Sequence, residues 1–167
     1  MKSRKSLLAV LAVGAFTLSA CSLDSEAISK ELAGTRLPET WVKLGEEASG
    51  NSVNRIYLAP PGNTDDEFKN SSAFDVVKER PIDNTSKGEL VVREKSEFLS
   101  SGVVLTLTLG KVNSIDSVVD SSNSNSPIKL PATAPEICGL APAGQELCDE
   151  FGIDKVQVVP IKATANR

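Results

Sequence analysis

Cys21, Cys138 and Cys148 are the three cysteines of a 167-residue chain that contains no histidine. Without imidazole there is no Ser-His-Asp or Cys-His nucleophile, no histidine general base and no ordinary zinc enzyme site. One nucleophile pattern remains, Ser126-Pro127-Ile128-Lys129. A lysine three residues after a serine activates it when both lie on one turn of a helix. Here the pattern follows a Ser/Asn run, and Pro131 comes two residues after the lysine, so the quartet reads as loop. No G-x-x-x-x-G-K phosphate loop and no G-x-S-x-G elbow occurs. Adjacent carboxylates, Glu46-Glu47 and Asp149-Glu150, diverge on any regular element and read as surface charge. The expectation is a protein without catalytic residues, cofactor or metal.

The chemistry left to the cysteines divides in two. Cys21 ends a leader. Lys2, Arg4 and Lys5 precede an apolar run from Leu7 to Leu18, and small residues follow. The run is too short to span a bilayer, which takes about 20 residues. A basic start, a short apolar core and small residues at its end read as a secretory signal peptide. Leu18-Ser19-Ala20-Cys21 resembles the lipobox of bacterial lipoproteins. The resemblance implies a diacylglyceryl thioether on Cys21, cleavage before it and acylation of the new amino group. Ser22 after that cysteine resembles the outer-membrane sorting pattern of Gram-negative envelopes.

Cys138 and Cys148 are the pair left over in an exported chain, which favours a disulfide. On one straight helix their Cα atoms would stand about 15 Å apart, whereas a disulfide needs roughly 4.4–6.8 Å. The chain must therefore reverse between them, and Gly139, Pro142 and Gly144 supply the break.

Composition bounds the rest. The leader carries three basic residues and no acidic ones, leaving 15 basic against 22 acidic, a formal charge of −7. An acidic surface with 4% aromatics argues against nucleic acid and against charge-driven binding to anionic headgroups. The organisation expected is a signal peptide over 1–20, a lipidated N-terminus and tether over 21–36, and one globular domain over 37–167.

The elements follow from periodicity. Residues 22–36 read as a tether, either disordered or helical for one or two turns. Residues 40–44 and 55–59 read as two strands of a hairpin, with a polar loop over 45–51. Trp41-Val42-Lys43-Leu44-Gly45 followed by Ile56-Tyr57-Leu58 resembles the opening of surface-adhesin E-like lipoproteins. Residues 63–72 read as a solvated acidic loop; its clustered carboxylates lack the spacing of an EF-hand. Residues 73–79 fit a strand or a short helix, and 88–94 a strand. Residues 102–111 carry the strictest alternation, with Val103, Leu105, Leu107 and Leu109 on one face, and are expected to be the sheet centre paired to 88–94. Residues 115–120 read as a short strand. Two short helices are expected near 132–139 and 142–151. A last strand over 153–163 contains Pro160, which cannot donate to a ladder, so an edge or bulged position is expected.

The fold expected is α+β, an antiparallel sheet of five or six strands with a disulfide-clipped helical pair near the C-terminus. A β-sandwich or open barrel with minor helices is the alternative. The function expected is a non-catalytic envelope lipoprotein that binds another envelope component or serves an assembly role. A small-ligand or lipid carrier, a pilotin-like chaperone and a surface adhesin are the alternatives, with a hydrolase last. The partners expected are the membrane, through Cys21, and an envelope protein or small ligand. Trp41 and Tyr57 either face a partner, as both types are enriched in binding hot spots, or pack the core.

Overall fold

The computed structural model describes residues 28–30, 32, 37–70, 74–79, 90–94, 104–120 and 128–166. Cys21, Ser126 and Val103 lie outside them. Among the described residues, seven strands form one antiparallel sheet: β1 (Val42–Ser49), β2 (Ser52–Ala59), β3 (Phe74–Lys78), β4 (Leu90–Glu94), β5 (Val104–Leu109), β6 (Asn113–Ser114) and β7 (Gln157–Asn166). Short helices accompany them, among them α1 (Thr64–Lys69), α2 (Ile115–Asp120), α3 (Ala134–Cys138) and α4 (Pro142–Phe151). Strand order is β1-β2-β7-β5-β4-β3, with β6 paired to β7. The expected α+β architecture is what forms.

The strict alternation of β5 buries Leu105, Leu107 and Leu109 completely. Removing a leucine side chain from water contributes about 1.5–3 kcal/mol, so this row alone anchors the inner face. β5 pairs with β4 as expected (Leu90↔Leu109, Val92↔Leu107) and sits with β7 at the middle of the order.

The first hairpin forms but is longer than expected. β1 and β2 run through most of the expected loop and turn on two residues, Gly50 and Asn51, with Gly50 at φ +58°. A two-residue turn needs that left-handed conformation, and glycine adopts it without steric cost.

β7 corrects the expectation of an edge strand. It pairs with β2 along one side, and with β5 and then β6 along the other. Pro160 is tolerated because its carbonyl accepts from Gly110 N at 2.9 Å, which turns its nitrogen toward the same side. That is where β5 has ended and β6 has not begun, so no donor is missed. A Cβ on Gly110 would lie 2.9 Å from the Pro160 ring, so only glycine permits this approach. No added strand can therefore pair with β7 at 157–163, and the exposed edge expected there does not exist. Val156 and Val158 face the helices while Val159 and Ile161 face the inner core.

Two further elements differ. Of the expected loop over 63–72, the described part, 63–70, is not a plain loop. Asn63 Oδ1 accepts from the Asp66 amide at 3.2 Å and caps α1, whose first turn carries Asp65, Asp66 and Glu67. Carboxylates there oppose the helix dipole favourably, and the helix sinks Phe68 fully into the core. Residues 115–120 are helical instead of extended. Ser114 Oγ accepts from the Ser117 amide at 3.3 Å, a local cap that outweighs the β propensity of Val118-Val119.

The sheet is curled. Trp41, at the foot of β1, stacks on Phe68 at 6.1 Å between centroids, and Phe68 lies 6.3 Å from Phe74 of β3. Trp41 and Phe74 thus stand within about 12 Å, whereas five strand spacings of a flat sheet span about 24 Å. α1 fills the gap between the two ends of the order. The inner core holds the aromatics with Val53, Leu90, Val92, the β5 leucines, Val159, Ile161 and Ala163. On the other face, Ile56, Leu58, Val156 and Val158 pack against α2, α3 and α4. Cys138 and Cys148 are bonded there with Cα atoms 6.2 Å apart, the chain reversing between α3 and α4 as geometry required.

The domain also begins earlier than expected. Residues 28–30 and 32 are helical, and Ile28 and Leu32, one turn apart, are each 1% exposed in the inner core. This part of the expected tether belongs to the fold.

Candidate functional site

Arg55 sits in the alternating row of β2 between Val53 and Tyr57, so the pleat carries its side chain to the buried inner face. A cation there needs partners, because an unpaired buried charge is costly. The hairpin register sets Glu46 directly across from it. Arg55 Nε donates to Glu46 Oε2 at 2.5 Å, Nη1 to the Tyr57 hydroxyl at 3.2 Å, and Nη2 to the Ser29 carbonyl at 3.2 Å. Ser29 Oγ donates to the other Glu46 oxygen. All three guanidinium nitrogens are engaged inside the protein, so the group holds its neighbours in place.

The charges respond accordingly. Partial burial would raise the Glu46 carboxyl, but the Ser29 hydroxyl, the Arg55 guanidinium and Lys43 together hold it below its ordinary value. Burial raises the Tyr57 phenol, against the opposing pull of Arg55, so it stays neutral and accepts from the guanidinium.

Trp41 and Tyr57 are brought together, 6.2 Å between ring centroids. They are 6% and 5% exposed, in the core and not on an open face. Of the two readings open for these side chains, packing in the core is the one that forms, and a recognition surface on them is not. Trp41 Nε1 spends its donor on Glu67 Oε2 at 2.9 Å, an interaction inside the protein. Sequence reasoning missed Arg55, Glu46 and Glu67. The signal for Arg55 was available: a lone cation in the apolar row of an alternating strand.

Of the Ser-x-x-Lys quartet, Lys129 lies exposed in non-helical chain, and Ser126 falls outside the described residues. Cys21 falls outside them as well. Among the described residues, no group of three or more cysteine, aspartate or glutamate side chains is placed to hold a metal ion. None of their helices is long and apolar enough to cross a membrane. The chain matches no protein-family model, no curated protein and no solved structure.

Proposed function

We propose that this protein is an envelope lipoprotein, anchored through lipid on Cys21, whose domain binds another envelope component or assists its assembly. The observation that carries the reading is the leader ending in Leu18-Ser19-Ala20-Cys21. Two or more acyl chains hold a protein stably on a membrane, each buried methylene contributing about 0.8 kcal/mol. Confinement at a surface raises the effective concentration of any partner held there, so a modest interface suffices.

Crosslinking in intact cells, wild type against Cys21→Ser, tests the reading. One stoichiometric envelope protein, recovered from the wild type and lost with the anchor, is the expected result. A lipid or small ligand retained by the purified domain in native mass spectrometry would replace it with a carrier role. Turnover of a cell-wall or lipid substrate by the soluble domain would overturn it.

A further inference from the structure

We infer that Arg55 and Glu46 form a clamp that docks the segment of residues 28–30 and 32 onto the domain and thereby sets how far the domain reaches from its membrane anchor. The inference rests on the lipid-anchor reading for its membrane consequence, and on the geometry for the clamp itself.

Three observations make the clamp. Ile28 and Leu32 place two side chains, one helical turn apart, fully into the inner core. Arg55 Nη2 reaches the Ser29 carbonyl at 3.2 Å and its hydroxyl at 3.5 Å, so main chain and side chain of this segment are both held. Ser29 Oγ closes the arrangement by donating to Glu46, the carboxylate that already pairs with Arg55. The β2 alternation and the β1–β2 register set both charged residues side by side. With the segment in place Arg55 is 6% exposed, so the Ser29 carbonyl and hydroxyl take the place of water on Nη2.

The consequence is a length. With residue 28 fixed, only residues 22–27 separate Cys21 from the fold. Seven residue steps extend to about 25 Å at most. If the fold began at Leu37, sixteen steps would allow about 55 Å. The clamp halves the reach and ties the anchor to the inner face of β2. The helical layer of α2, α3 and α4 lies on the opposite face of that strand.

The test uses the full-length, membrane-bound protein. Trypsin cleavage after Lys30, followed by mass spectrometry, is expected to be at least tenfold slower in wild type than in Arg55→Ala or in Ile28→Ser/Leu32→Ser. Equal rates, with the domain still cooperatively folded, would overturn the clamp. Should either variant fail to fold, hydrogen exchange of wild-type amides over 28–32 decides. Protection approaching that of β2 supports the clamp, and exchange at the unprotected rate overturns it. Energy transfer from a dye at position 47 to acceptor lipids reads the reach, and is expected to fall when the clamp is released. Unchanged transfer on release would overturn the reach. The mass of the N-terminal peptide reports the lipid separately: an unmodified Cys21 with protected 28–32 would refute the anchor and leave the docked segment standing.

Discussion

The Trp41 indole and the Glu67 carboxylate meet at 2.9 Å, joining the foot of β1 to α1. The contact closes the curled sheet, because the same two elements stack Trp41 on Phe68 with the rings 11° from parallel. Trp41→Phe keeps the stack and removes the donor. It is expected to cost about 1.5 kcal/mol, the lower end for a hydrogen bond to a charged group. Urea unfolding of Trp41→Phe, Glu67→Gln and the double variant checks this. The double is expected to cost less than the two singles added, and strict additivity would deny the coupling.

Glu46 makes the domain acid-sensitive. Its folded pKa lies below the ordinary 4.5 through Ser29, Arg55 and Lys43. A carboxyl depressed on folding contributes stability that is full above its unfolded value and lost as pH falls through the folded one. Wild type should therefore lose stability relative to Glu46→Gln below about pH 4.5. The urea midpoints of the two, compared from pH 7 down to acid, measure it; parallel curves would contradict it.

Gly110 and Pro160 act as one unit. Gly110→Ala sets a Cβ 2.9 Å from the proline ring and is expected to cost about 1–3 kcal/mol by overpacking. In a Pro160→Ala background that cost should shrink, since the ring it meets is gone. Thermal melts of the four proteins report the difference.

The Cys138–Cys148 bridge closes a ten-residue separation and joins α3 to α4. Replacing both cysteines by serine should cost about 2–3 kcal/mol. Chemical denaturation of the oxidised and double-serine proteins tests it. Equal stability would show that packing of Ile137 and Leu58 holds this layer without the bridge.

Some of this was legible in the sequence. The β5 leucines announced a strand because period two leaves no other reading, and the two remaining cysteines announced a reversal because a straight helix cannot join them. The length of the first hairpin is not legible because its polar outer residues, Glu46 to Ser49, resemble a loop in composition. Pro160 misled because its missing donor was set against a continuous ladder; the break between β5 and β6 depends on Gly110, fifty residues away. α1 and α2 were misread because single side-chain caps, Asn63 and Ser114, decided them over composition. The clamp depends on Ser29 meeting Arg55 across 26 residues, which no local pattern encodes.

The anchor on Cys21 is the central claim, since the reach set by residues 28–32 and the confinement of partners both depend on it. Mass spectrometry of the protein extracted from its native membrane measures it directly. The account predicts an N-terminal peptide that begins at Cys21 and carries a diacylglyceryl group and an amide-linked acyl chain. An intact leader, or a mature N-terminus with an unmodified thiol, would contradict it.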